Sequence, residues 1–498
     1  MCMLHLDRSI QQGGFFMAKK PNIVFILTDD QGPWALSQHT PELITPNLTR
    51  MAQEGVRFDN FFCASPVCSP ARCSIVTGRI PSAHGVHDWL GSGNVAASAL
   101  TEEMRALFRD EHEAIDYLAG MPTVFDALSE SGYRMGFVGK WHMGDSMRPR
   151  PGFEYWNVLL RGGAHYKHAD ICVDGKPQFC DQYITDYFTD RAVDYIDSVP
   201  SSPFFLALHY TAPHTPWAHD EHREDLLGLY DDCTFPSHPL RPIHPDQVGN
   251  MEIGDTEEKR RSLLQGYYAA ITAVDEGVGK VFYALRRNGL LEDTVVIFSG
   301  DNGMNLGQHG VWGKGNGTWP MNMYDSSVKV PFIMWGPKWM RKGAVITNLC
   351  SHYDILPTLR DFLQLPPLDS LPGESFLPEL TAPQPCKDRT LCILDEYGPV
   401  RMVRSRTHKL VWEPLRGNHQ LYDLVRDPDE EVNLYGHPDY AAIQNTLLNE
   451  MRRAFAQYTV PPFDGSKLCP TGSGQMGKVT CEGDHVFDPS ITLYWENH

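Results

Sequence analysis

Short runs of β-branched and aromatic residues alternate with helical ones along most of this chain, and that alternation leaves few architectures open. Asn22–Thr28 and residues 134–138, 203–209, 294–298 and 330–335 each read as a strand bounded by Gly, Pro or Asp. Between them Pro46–Glu54, 122–131, 183–198 and Glu257–Arg287 read as helices. The last carries Leu264, Tyr267, Ile271, Val274, Val278, Val281 and Leu285 at three- and four-residue steps, a single apolar stripe. Strands and helices that alternate on this scale predict an α/β fold, one sheet with helices on both faces. A chain of 498 residues exceeds one ordinary core. We expect a large domain over 17–380 and a smaller one over 385–498. In the second, RMVRSRTHKLVWE and HQLYDLV read as short antiparallel strands and 440–458 as a helix. Residues 1–16 read as an extension before Met17, and the Gly-, Pro- and Ser-rich stretch beyond Pro461 shows no periodicity.

Composition narrows the function classes. An apolar fraction of 42% excludes disorder as the main state. The 43 Lys and Arg against 62 Asp and Glu give a net charge of −19, which argues against nucleic-acid and anionic-membrane partners. Apolar runs such as 23–27 and 204–208 are far too short to cross a bilayer. The N-terminus lacks an apolar h-region behind basic residues, so a cytoplasmic location is expected, or a secreted or periplasmic one if a leader has been trimmed. Twelve cysteines are far too few for a disulfide scaffold.

Open α/β sheets bind ligands beyond the carboxyl ends of their strands. Reading just past each predicted strand gives Asp29 and Asp30, then Lys140 and His142, then His214, then Asp301 and Asn302 followed by His309 and Lys314. The first and last pairs supply only oxygen ligands, which suits a hard cation: calcium first, magnesium second. Lys140, His142, His214 and Lys314 form a cationic group fit to hold a tetrahedral oxyanion. Residues 65–79, SPVCSPARCSIVTGR, complete the set. Pro70 suits a first helical turn and Gly78 a stop, which puts Cys68 at a helix N-terminus with Arg72 one turn on. Cys63 and Cys73 read as structural cysteines.

The stretch C-S-P-A-R-C-S-I-V-T-G-R resembles the sulfatase signature C-x-P-[SA]-R followed by T-G-R, whose cysteine is oxidised to formylglycine. The resemblance extends to P-N-I-V-F-I-L-T-D-D, G-K-W-H-M-G, A-P-H-T-P, G-D-N-G, H-G-V-W-G-K and L-Y-D-L-V-R-D-P-D-E-E-V-N-L, all in the family's order. It implies an alkaline-phosphatase-like large mixed sheet flanked by helices, with a smaller C-terminal sheet-plus-helix subdomain and one calcium. It further implies Asp29, Asp30, Cys68, Asp301 and Asn302 as metal ligands and Cys68 as nucleophile steadied by Arg72. Lys140, His142, His214 and Lys314 are implied to hold sulfate and move protons. A formylglycine-generating maturation enzyme is an implied partner.

The chemistry explains the residue choice. An aldehyde hydrate carries two hydroxyls on one carbon: one attacks sulfur, and deprotonation of the other expels sulfate. A serine would be left as a stable ester, and a thiol has no equivalent exit. By resemblance His142 is the base, and Lys314 or His214 protonates the leaving alcohol. The expected substrate is a small sulfated mono- or oligosaccharide. His84, His87, Asp88 and His309 are candidates to bind it, and Trp34, Trp89, Tyr166, Trp217, Trp312 and Trp319 are candidates to stack on a ring. The rival activities are phosphonate monoester or phosphodiester hydrolysis on the same fold, and silent binding.

Overall fold

Strand β1 (Asn22–Thr28) is buried along all seven residues. Ile23, Phe25 and Leu27 enter one apolar core and Val24 and Ile26 the other, so a sheet covered on both sides explains the unbroken apolar run. The computed structural model describes residues 20–199, 203–249, 251–385, 393–480 and 486–487. The expected extension over 1–16 lies outside them.

In chain order the main sheet adds β2 (Val56–Phe58), β3 (Arg134–Gly139), β4 (Phe153–Leu159), β5 (Ala169–Val173), β6 (Lys176–Cys180), β7 (Phe204–His209), β8 (Thr294–Gly300), β9 (Phe332–Trp335) and β10 (Ala344–Ile346). Their spatial order is β10-β2-β9-β8-β1-β7-β3-β4-β5-β6. The central run β8-β1-β7-β3-β4 is parallel, while β9 pairs antiparallel to β8 and β5 to β4. On one face lie α2 (Cys68–Thr77), α3 (Val124–Glu130) and α6 (Ile355–Phe362); on the other lie α1 (Pro46–Glu54), α4 (Ile184–Ser198) and α5 (Glu257–Arg287). The predicted apolar stripe of α5 is buried at every one of its seven positions.

Beyond this sheet, β11 (Ile393–Tyr397), β12 (Val400–Arg404), β13 (His408–Trp412) and β14 (Gln420–Asp423) form an antiparallel meander, covered by α7 (Ala441–Tyr458). Buried charge ties it to the main sheet: Asp325 accepts from Arg404 and from Lys409 Nζ at 3.1 Å, and Lys409 also reaches Glu430. Residues 461–480, read as aperiodic, carry only short 3-10 turns but pack back against the loop that follows α2. No helix among the described residues is long and apolar enough to cross a membrane.

Candidate active site

Sheet register builds the site. Thr28 of β1 lies beside Gly300 of β8, and Gly139 of β3 beside His209 of β7, so Asp29, Lys140 and Asp301 leave the sheet in one row. Gly139 adopts φ +109°, and a methyl there would overlap the His209 carbonyl; this turn delivers Lys140, whose N–H donates to that carbonyl at 2.7 Å. Asp30 and His142 hold left-handed backbones, φ +59° and +49°, which non-glycine residues adopt at a cost.

Asp29, Asp30 and Asp301 bring carboxylate oxygens within 4.8 Å of one another, all buried. Three cations neutralise them: Lys140 pairs with Asp29, Lys314 Nζ donates to Asp30 Oδ1 at 2.6 Å, and Arg72 Nε donates to Asp301 Oδ2 at 2.8 Å. Arg72 also donates to the Lys140 carbonyl at 2.8 Å, so it braces α2 against the end of β3. His214 Nε2 stands 3.7 Å from Asp30 Oδ2. Asn302 donates to Asp30 Oδ1 at 2.9 Å. Its own Oδ1 and Asp29 Oδ1 are buried without a hydrogen-bond donor. Buried oxygens left without donors, among carboxylates that already share three cations, fit a hard divalent ion.

Cys68 begins α2, and every residue of that helix is buried. Its Sγ lies 3.4 Å from His142 Nδ1, and His142 Nε2 contacts the Leu90 carbonyl at 3.2 Å. Burial raises the thiol's pKa against the opposing pull of Lys140 and Lys314, so Cys68 stays protonated. Burial and Lys140 hold His142 well below its usual range, and burial brings His214 down to about 4. Both rings are therefore neutral and free to accept protons. Burial alone would raise Asp30, but Lys314, His214 and Lys140 reverse that and hold it below the usual carboxylate range. Burial and the Asp29 charge push Asp301 up to about 6, against the opposing pull of Arg72 and Lys140.

Of the eleven residues read from the strand ends and the signature, all but His309 therefore converge. The proposed substrate contacts differ. His84 Nε2 meets Ser74 Oγ at 3.1 Å, and His87 Nε2 meets the Phe463 carbonyl at 2.8 Å. Asp88 accepts from Tyr397 and from the N–H groups of Trp89, Gly472 and Gly474. All three are buried and spent inside the protein, because the loop after α2 is covered by the C-terminal stretch. His309 stacks on Tyr324 at 3.8 Å and lines a separate cleft with Arg241, Gln308 and Glu431. Trp217, Trp312 and Tyr166 are buried too; Trp34, Trp89 and Trp319 stay half-buried. Sequence reasoning missed the Leu90 carbonyl, and also Tyr267, whose hydroxyl donates to the Asp30 carbonyl at 2.8 Å. Main-chain acceptors leave no mark in side-chain chemistry, and Tyr267 looked only like part of the helix stripe.

The family model Sulfatase matches residues 21–365, well over half of the chain. The chain belongs to the sulfatase family. A second model, N-sulphoglucosamine sulphohydrolase, C-terminal, matches residues 307–457 of this sulfatase. An N-acetylglucosamine-6-O-sulfatase of Bacteroides thetaiotaomicron is 24% identical, over 88% of this chain and 87% of its own. An ulvan-active sulfatase of Formosa agariphila is 27% identical, over 88% and 81%. Among solved structures, one in complex with its substrate D-glucosamine-2-N,6-O-disulfate superposes with a TM-score of 0.72 at 23% identity, over 88% of this chain and 98% of the other. The sulfatase described here is a sulfuric ester hydrolase.

One glycine offers a direct test of the histidine geometry. Gly162 presses on His142 so closely that a methyl there would overlap the ring. Gly162→Ala is expected to lower kcat at least about tenfold, since roughly 1 Å of misplacement costs that much or more. The melting temperature should fall by only a few degrees, since overpacking of this size costs about 1–3 kcal/mol. Wild-type kcat in that variant would mean that the ring tolerates displacement.

Proposed function

We propose that this sulfatase removes sulfate from a small sulfated saccharide, using formylglycine made from Cys68 and a bound calcium. The observation that carries the reading is the meeting of Cys68, at a helix N-terminus and 3.4 Å from a neutral His142, with three buried carboxylates, where Asp29 Oδ1 and the neighbouring Asn302 Oδ1 lack donors. Asp29, Asp30, Asp301 and Asn302 would hold the calcium, and the modified Cys68 would complete its ligands. A cation there supplies positive charge to the sulfate oxygens; magnesium is the second choice. Formylglycine supplies the attacking hydroxyl and, from the same carbon, the group whose deprotonation expels sulfate.

The chain's own residues do the rest. Lys140 and Lys314 bring fixed positive charge to an anionic substrate at no cost of reorganisation during the reaction. His142 Nδ1 faces residue 68 and takes the proton released there. Lys314, whose ammonium is kept charged by Asp30 against the effect of burial, protonates the leaving alcohol; His214, neutral at rest, does so only after taking up a proton itself. Arg72 locks Asp301 and the Lys140 backbone in place. The saccharide preference rests on the curated relatives.

Comparing an aryl sulfate, an aryl phosphodiester and a panel of sulfated mono- and disaccharides tests this. The expected order of kcat/KM is one of the sulfated sugars first and the phosphodiester last. A phosphodiester or phosphonate turned over faster than every sulfate would overturn it.

A further inference from the structure

The C-terminal stretch beyond α7 returns to the back of the catalytic base. Gln475 is fully buried and forms a β-bridge with Leu90. Its N–H donates to the Trp89 carbonyl at 2.7 Å, and its carbonyl accepts from Gly91 N at 3.0 Å, so it grips Leu90 from both sides. The side chain adds three bonds: Oε1 accepts from His87 N at 2.8 Å, and Nε2 donates to the carbonyls of Gly85 and Gly477 at 3.0 and 2.9 Å. Upstream, Gly472 and Gly474 donate to Asp88 Oδ2 at 2.9 and 3.3 Å, and the Gly472 carbonyl accepts from Trp89 Nε1 at 3.0 Å.

What is gripped matters because of the other bonds of Leu90, whose carbonyl is also held by Asn94 Nδ2 at 3.1 Å. Its N–H donates to Ser69 Oγ at 3.1 Å, next to Cys68, and its carbonyl faces His142 Nε2 at 3.2 Å. A carbonyl can only accept, so Nε2 carries the proton of the neutral ring. That leaves the Nδ1 lone pair pointing at residue 68. A ring freed from the carbonyl would divide its proton between the two nitrogens, and only one of those tautomers can act as the base.

We propose that residues 472–475 form a strap whose work is positional: through the Leu90 carbonyl it fixes the tautomer and direction of His142. Gln475 touches neither substrate nor reacting atoms and is a positioning residue. The inference rests on the reading of His142 as base.

Two readouts test it, one of them independent of turnover. In protein expressed without the maturation enzyme, so that Cys68 stays a thiol, nitrogen-15 NMR of labelled histidines reports the His142 tautomer, its signals identified by their loss in His142→Gln. Wild type should show the Nε2-protonated form, and Gln475→Ala a mixture of both. In matured protein, Gln475→Ala should lower kcat about tenfold, part of what a general base contributes, while KM for a small aryl sulfate changes less than about twofold. Should Gln475→Ala fail to fold, Asp88→Asn, which loosens the strap at Gly472 and Gly474, carries the same two readouts. An unchanged tautomer overturns the proposal even if kcat falls, as does a wild-type kcat. A fully active His142→Gln would instead sink the reading of His142 itself, while the tautomer measurement would still judge the strap.

Discussion

Cys68→Ala is expected to fold normally and lose turnover of sulfate esters by about 10⁵-fold or more, the loss seen when a covalent nucleophile is removed from an otherwise intact site. Folding should survive because only one sulfur atom leaves a buried position that is otherwise well packed, at a cost of about 1 kcal/mol. Cys68→Ser separates nucleophilicity from the exit step. If the serine persists as serine, it should react once and remain sulfated, so the intact mass gains one sulfo group while steady-state turnover stays at background. Normal turnover by the alanine protein, after contaminating activity has been excluded, would rule out any covalent role for residue 68.

Removing divalent cations should have an effect of similar size. Asp29, Asp30 and Asp301 crowd their charges into one buried point, and Lys140, Lys314 and Arg72 each engage one of them while Asp29 Oδ1 and the neighbouring Asn302 Oδ1 keep no hydrogen-bond partner. Chelation should abolish activity and lower the melting temperature; a site filled at about a thousand times its dissociation constant contributes roughly 4 kcal/mol to the folded state. Adding calcium back should restore both. Restoration by magnesium alone would change the identity of the ion, and full activity at a verified metal content of zero would remove the ion from the reaction.

How far the sequence could be read depended on whether a residue's role is local. Asn22–Thr28 was legible because burial on both faces calls for an unbroken apolar run, here the five residues Ile23 to Leu27, and the residues after it had to leave the sheet at its ligand-binding end. The same logic placed Lys140, Asp301 and Asn302. Strands β5 and β6 were not legible: Lys176–Cys180 is an edge hairpin strand with two of its five residues exposed and one buried, and mixed polarity resembles a loop. His84, His87 and Asp88 misled for a related reason. Polar residues close behind a catalytic motif look like ligands, and only the return of a segment nearly four hundred residues later shows them holding the chain together. Gln475 itself lies in a stretch without periodicity, where nothing local distinguishes a buried clamp from solvated coil.

The burial of α2 has a consequence for the order of events in the protein's life. Cys68 and its nine helical successors have no face on the finished surface, so another enzyme cannot grasp this segment once the sheet has closed over it. If formylglycine forms from Cys68 as proposed, oxidation of the thiol must precede compaction, and the two processes race. Slower synthesis or delayed collapse would lengthen the interval in which the segment is an extended peptide; rapid folding would seal in an inert thiol. Two molecules of identical sequence and shape can thus differ for good, one competent and one silent, according to which process finished first.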